Sequence, residues 1–238
     1  MKELTILHLY PKDMNLYGDH GNVLTLQRRC EWRGIKVKVI TYNVGDAFPI
    51  KPDIIFGGGG QDSGQDVIAK DLQVIAPKLK SLVEAGTPTL AICGMYQMFG
   101  RYFKTLTGEV IDGISIFDIE TIGGSERLIG NIIEQSEEFG EIIGYENHSG
   151  KTYLSKNAKP LAKVTLGAGN NNEDGFEGIF YHNAIGTYLH GPLLPKNPKI
   201  ADFLIAQALN NKYGQVDLAA LDDTLIDQAR HVAKTRPR

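Results

Sequence analysis

The hydrophobic pattern changes character near the middle of the chain. Over the first hundred residues, short apolar runs alternate with stretches of helical period. Residues 4–9 form an apolar run of strand length, followed by a polar loop from Tyr10 to about Gly21. Val23, Leu24, Leu26, Gln27 and Cys30 give helical spacing over residues 22–33, with Gly34 placed to end the helix. Residues 35–42 alternate Ile, Val, Val and Tyr with Lys, as a strand does. Residues 53–56 are a short apolar strand that opens into Gly57-Gly58-Gly59-Gly60. A helix is predicted over 66–84, interrupted near Pro77, then a buried strand over 87–93 and a helix over 94–102. This alternation predicts parallel βαβ units with right-handed crossovers.

From Gly108 to Leu189 the texture is β-rich, with runs at 114–122, 131–134, 142–146, 161–166 and 180–189 between Gly and Asn turns. These predict antiparallel additions that complete or flank the parallel sheet. Asn170-Asn171-Asn172-Glu173-Asp174-Gly175 reads as an exposed turn, since it lacks calcium-ligand spacing. Asn197-Pro198 supplies an N-cap and first-turn proline for a helix ended by Gly214, and a last helix is expected over 217–234. The expected fold is α/β: a flavodoxin-like three-layer sandwich around a mostly parallel sheet. All 238 residues are read as one domain, with the helices of about 197–234 packed on it.

Composition narrows the function classes. The 25 basic and 28 acidic residues give a net charge of −3, which carries no footprint for nucleic acid or anionic lipid. Two cysteines, Cys30 and Cys93, do not make a disulfide framework, and no secretory or membrane-spanning run is present, so a cytoplasmic location is expected. The 27 glycines exceed the usual ~7%, and so should mark tight turns or close backbone approaches.

In Leu90-Ala91-Ile92-Cys93-Gly94-Met95-Tyr96-Gln97 an apolar strand ends at a cysteine and a helix begins at once. Such an elbow lifts a nucleophile above the sheet edge, and a helix N-terminus favours the thiolate. Gly94 leaves the following N–H open to an oxyanion. A buried core cysteine is the competing reading. Gly57–Gly60 lies at another strand's carboxyl end, where open α/β sheets form sites; its amides could supply a second oxyanion donor or merely make a turn. No Lys-Ser or Lys-Thr follows it, and Gly144-Tyr145-Glu146-Asn147-His148-Ser149-Gly150-Lys151-Thr152 has its first glycine one residue too early for a phosphate loop. Of six histidines, His190 in Gly186-Thr187-Tyr188-Leu189-His190-Gly191-Pro192 stands at a strand end, as a base for Cys93 requires, and His148 is the second candidate.

Together these segments resemble class I glutamine amidotransferases. The 144–152 segment is similar to Gly-Tyr-Glu-x-His-x-Gly-Arg-Thr of the cobyric acid synthase type. Asn15-Leu16-Tyr17-Gly18-Asp19-His20-Gly21-Asn22, Gly58-Gly59-Gly60-Gln61-Asp62, Gly169-Asn170-Asn171 and the run from Gly186 to Pro198 resemble the glutaminase subunits (GatD) of lipid II isoglutaminyl synthases. The resemblance implies that Cys93 attacks the side-chain amide of L-glutamine and His190 serves as base and acid. It also implies an oxyanion hole from Gly58, Gly59 and Gly94, and Arg127 on the substrate, whose fork suits an α-carboxylate; a surface ion pair is the alternative for Arg127. No metal or cofactor is implied in this chain. ATP is expected on a Mur-ligase-like partner subunit that forms a heterodimer with it and amidates the D-glutamate of the peptidoglycan stem peptide. A cobyrinic-acid-type acceptor, and a binding module without catalysis, are the other readings.

Two departures from the family pattern stand out. Met95 occupies a position where many members have glycine, and is expected to narrow the pocket. Pro192 stands where many have the glutamate that orients the histidine, so Asp19, Glu146 or the partner must do so; the partner is the expectation. Glutaminase activity is then expected to be low without it. Arg230, Lys234, Arg236 and Arg238 are read as a solvated tail or a docking patch.

Overall fold

The structure is a computed structural model that describes residues 2–49, 51–60 and 62–235, without the side chains of residues 62–64 and 66. In chain order the first half contains β1 (Glu3–Leu9), α1 (His20–Glu31), β2 (Lys36–Tyr42), β3 (Ile54–Gly57), α2 (Asp62–Glu84), β4 (Thr89–Ile92) and α3 (Gly94–Met98). The second half contains β5 (Tyr102–Lys104), β6 (Val110–Asp112), β7 (Ile119–Ser136), β8 (Gly140–Leu154), β9 (Ala162–Leu166), β10 (Phe176–Glu177), β11 (Ile179–Tyr181), β12 (Ala184–Thr187) and β13 (Leu189–His190), then α4 (Pro198–Tyr213) and α5 (Thr224–Thr235).

The first sheet has the order β11-β12-β4-β3-β1-β2. β1, β2, β3, β4 and β12 are parallel neighbours, and β11 closes one edge antiparallel. β3, β4 and β12 are buried at every residue, the mark of parallel strands covered on both faces, whereas β2 is an edge and alternates. The parallel α/β core is therefore as expected. The β-rich middle does more than extend it: β7 and β8 form a long hairpin at the heart of a second sheet, with a register shift between Gly123 and Leu128.

Several boundaries differ from expectation for identifiable reasons. α2 runs through Pro77 without a break, because Ile68, Leu72, Ile75, Leu79 and Val83 bury one continuous face that offsets the ~3 kcal/mol cost of an interior proline. α3 stops at Met98 because the carbonyls of Met98, Phe99 and Gly100 accept the N–H groups of residues 114–117 in place of a next helical turn. Asn197 precedes α4 but does not cap it; its side chain bonds the backbone of Ile143 on β8 and Leu193 instead. The last helix begins only at Thr224, where Asp222 takes the Thr224 N–H. Asn170 and Asn171 are buried, not exposed, and bond Tyr96, Gly178 and Thr152.

Arg230 and Lys234 are not a freely solvated tail. They fold back onto Glu141, and Arg230 also reaches Lys196 and Asn197; Arg236 and Arg238 lie outside the described residues. At the other side, buried Arg29 of α1 forks onto Asp202 of α4 and Asp223, fixing the helix whose first turn enters the site.

Candidate active site

Cys93 follows β4 directly, and its N–H donates to Thr187 of β12 at 2.8 Å. Its backbone sits at φ +50°, ψ −106°, a conformation costing on the order of 1–3 kcal/mol for a residue with a side chain. That strain is what the elbow predicts: the chain reverses at once into α3 and the sulfur is lifted off the sheet.

His190 reaches the same place from the other sheet. The chain leaves β12 at Thr187 and re-pairs as β13, with His190 opposite Tyr145 of β8. The step between sheets is held by the buried carboxyl group of Glu177, whose oxygens accept the Thr187 hydroxyl and the Tyr188 N–H, the latter at 2.7 Å. His190 is 1% exposed. Burial alone would lower its pKa, but the nearby Cys93, first through its charge, and the hydrogen bond and charge of Asp19 push it up to about 10. An imidazolium beside the sulfur is therefore the favoured charge state.

The carboxylate beside His190 belongs to this chain, contrary to the expectation that a partner supplies it. Asp19 Oδ1 lies 3.2 Å from His190 Nδ1, and Asp19 is fully buried. Asp19 stands at the N-cap position of α1, where its carboxylate would ordinarily be consumed by the helix. Asn15 takes that role, accepting the His20 N–H at 2.8 Å, and leaves Asp19 to the histidine. Glu146 is committed elsewhere, to the amides of Ala168 and Gly169.

These groups converge on one glycine. A Cβ on Gly59 would stand 2.8 Å from His190 Cε1, 3.2 Å from Asp19 Oδ2 and 3.3 Å from Cys93 Cβ. The Gly59 N–H donates to Asp19 Oδ2 at 2.7 Å, so it points at the carboxylate and not at an oxyanion. Gly58 packs against the Met14 carbonyl. Gly60 is the loop residue that lines the pocket with Cys93, and its nitrogen lies 3.0 Å from where a Gly94 Cβ would be. Of the expected oxyanion donors, Gly59 has its N–H taken by Asp19, and from the same loop it is Gly60 that lines the pocket with Cys93.

The pocket in front of Cys93 has a volume of about 400 Å³. Arg127 enters it from the irregular stretch of β7, where the register shift turns the chain out of the ladder. Its Nε donates to Asn147 Oδ1 and its Nη2 to the Tyr17 hydroxyl; among the described residues it has no ion pair, so the surface-pair alternative is not realised. His148 lines the same wall, stacked on Tyr188 at 3.6 Å with Nδ1 against the Gly150 carbonyl. Burial, with a smaller push from His190, lowers its pKa to about 4, so it stays neutral near pH 7. The 144–152 segment, which looked like a failed phosphate loop, is thus the pocket wall. Among the described residues no three metal-binding side chains cluster.

The two departures also find their places. Met95 is fully buried, and its Cγ lies 2.4 Å from where a Gly57 Cβ would stand, so it fills space behind the loop and does not narrow the pocket. Pro192 packs on Gly21 at the start of α1, which fixes the turn after His190 against the helix that delivers Asp19.

Known proteins share this arrangement of the chain. Residues 5–198 match the CobB/CobQ-like glutamine amidotransferase domain. Lipid II isoglutaminyl synthase (glutamine-hydrolyzing) subunit GatD of Staphylococcus aureus is 41% identical, covering 99% of this chain and 100% of that one. The Streptococcus pneumoniae protein of the same name is 40% identical over 94% of this chain and 87% of its own. A probable cobyric acid synthase of Methanothermobacter thermautotrophicus is 32% identical, over 58% of this chain and 30% of its own. Among solved structures, PurLQS from Thermotoga maritima superposes with a TM-score of 0.60 at 14% identity, covering 86% of this chain and 98% of that one, a likeness of fold. The chain belongs to the CobB/CobQ-like glutamine amidotransferase family and is a glutamine amidotransferase.

Proposed function

We propose that this chain is the glutamine-hydrolysing subunit of a lipid II isoglutaminyl synthase, working through Cys93, His190 and Asp19. The observation that carries the chemistry is the convergence of these three side chains on Gly59, in a pocket that Arg127 shares with Cys93. The Cys93 sulfur attacks the side-chain amide carbon of L-glutamine, and the carbonyl oxygen becomes an oxyanion facing the Gly94 and Gly60 amides. His190 gives its Nε2 proton to the departing nitrogen, so ammonia leaves and a γ-glutamyl thioester remains. Water then attacks the thioester while His190 takes its proton, and the sulfur leaves as thiolate as glutamate departs, restoring the starting pair. Asp19 holds the Nδ1 side throughout, keeping the ring in one orientation.

Arg127 binds the α-carboxylate at the far end of the pocket. ATP-dependent activation of the acceptor belongs to a Mur-ligase-like partner subunit, and the pair acts in the cytoplasm on the D-glutamate α-carboxyl of the lipid II stem peptide. The near-complete coverage of the GatD relatives in both directions supports this acceptor over a cobyrinic acid, whose synthases match this chain with less than half of their length. The test is transfer of label from amide-¹⁵N-glutamine. Mixed with a Mur-ligase-like subunit, ATP and lipid II, the chain should place ¹⁵N in the stem peptide, and Cys93→Ala should abolish transfer while free ammonia still supports amidation. Label appearing in a corrin precursor and not in lipid II would transfer the assignment to the runner-up.

A further inference from the structure

We propose that Tyr17 is a substrate-binding residue: its hydroxyl is the second arm of the clamp on the glutamine α-carboxylate, beside Arg127. The inference rests on the glutaminase reading and adds a residue to it. Tyr17 sits in a short turn, Leu16–Gly18, with its own backbone at φ +53° and its ring 45% exposed. A large aromatic is not held in the left-handed region without compensation. What compensates here is polar. The Tyr17 hydroxyl accepts Arg127 Nη2 at 3.2 Å and Asn147 Nδ2 at 2.9 Å, while Asn147 Oδ1 accepts Arg127 Nε. The three side chains close a ring of hydrogen bonds along one edge of the guanidinium.

This ring leaves a definite chemistry unspent. A phenol has one proton to donate, and both of its lone pairs are taken by donors. Among the described residues the Tyr17 hydroxyl donates to nothing. Its proton therefore points away from Arg127 and Asn147, in a pocket that it lines with Cys93. The guanidinium, fixed by Nε and one Nη2 hydrogen, keeps its other edge for an anion. One O–H and one guanidinium edge side by side fit a carboxylate, whose two oxygens only accept. The Tyr17 ring also meets the His190 ring edge-on at 4.8 Å, so the residue that holds the carboxylate borders the base at the other end of the pocket. Asp19, two residues on, and the Leu16 N–H bond to the Gly59 carbonyl anchor the turn to the oxyanion loop.

The test compares two alkylating agents on the full chain. Diazo-oxo-norleucine carries the amino-acid end of glutamine; iodoacetamide does not, yet both react with the same sulfur. Tyr17→Phe keeps the ring on His190 and removes the hydroxyl. It should slow inactivation by diazo-oxo-norleucine about tenfold and raise KM for glutamine similarly, with kcat and the alkaline limb of the pH profile unchanged. Its iodoacetamide rate should equal that of the wild type. Asn147→Ala, which leaves Tyr17 in place but loosens the ring of bonds, should show the same split. Equal diazo-oxo-norleucine rates in wild type and Tyr17→Phe would overturn the clamp while leaving the glutaminase reading intact. Parallel losses with both reagents would make Tyr17 a residue that acts on the sulfur, and also overturn it. A wild-type chain that reacts with iodoacetamide but never with diazo-oxo-norleucine would overturn the glutaminase reading and the clamp together.

Discussion

Gly59→Ala isolates the geometry of the candidate site from the stability of the fold. The backbone of Gly59 is not in the left-handed region, so alanine is permitted there; the obstacle is the space a methyl would enter. Its Cβ would lie 2.8 Å from His190 Cε1 and 3.2–3.3 Å from Asp19 Oδ2 and Cys93 Cβ. Ordinary contact begins at 3.4 Å, so the imidazole must retreat by about 0.6 Å (3.4 minus 2.8). Displacements approaching 1 Å at reacting groups cost about 10²-fold, so kcat for glutamine hydrolysis should fall roughly 10- to 100-fold. The Gly59 N–H stays in place, so the bond to Asp19 persists and the thermal midpoint should change little. The assay is glutamate release with the partner present, alongside a melting curve. Wild-type kcat in a folded Gly59→Ala chain would refute the claim that Cys93, His190 and Asp19 act around this point.

Further expectations follow from the same contacts. Asp19→Asn should lower kcat/KM about 10²- to 10⁴-fold, because Nδ1 loses its orienting anion. His190 is raised to about 10 partly by Asp19, so its imidazolium is retained below that pH and lost above it; the alkaline limb of the pH–rate profile should lie near pH 10 and move down in Asp19→Asn. Arg127→Lys keeps the charge but loses the fork, and should raise KM for glutamine by about tenfold or more with a smaller effect on kcat. The buried carboxyls Glu134 and Glu177 give a stability test. Burial raises both, Glu177 to about 8, so the fold favours their protonated forms, and stability should decline as pH rises from about 4.5 toward 8. Glu134→Gln removes one titrating group, and urea unfolding should show a smaller decline over that window.

The elbow was legible because its signal is local: an apolar run, a cysteine and a glycine in succession leave few other conformations. His190 was legible for the same reason, as a strand end before a glycine turn, although its strand belongs to the second sheet. Asp19 was one of three candidates, and nothing local selects it. Its role depends on Asn15 relieving it of helix capping and on a contact with a residue 171 positions away. That Asp19 claims the Gly59 N–H is likewise a tertiary fact. Met95 and Pro192 looked like departures because their partners, Gly57 and Gly21, are distant in sequence; in space each fills room that a glycine leaves. The early end of α3 was hidden likewise, since the strand-length segment at 114–117 takes the carbonyls the helix would need. The 144–152 wall illustrates the converse: Gly-Lys-Thr at its end suggested phosphate, while the residues that line the pocket are Asn147, His148, Ser149 and Gly150 in the middle.

The central claim is that Cys93 is the nucleophile toward glutamine, driven by His190. It is tested most directly by mapping covalent modification with diazo-oxo-norleucine by peptide mass spectrometry in the presence of the partner. The account predicts one label per chain, on Cys93, blocked by excess L-glutamine, absent in Cys93→Ala and strongly slowed in His190→Ala, while Cys30, fully buried with its thiol pushed up to about 12, stays unmodified. Unchanged glutamine hydrolysis in Cys93→Ala, or a label that glutamine does not block, would contradict it.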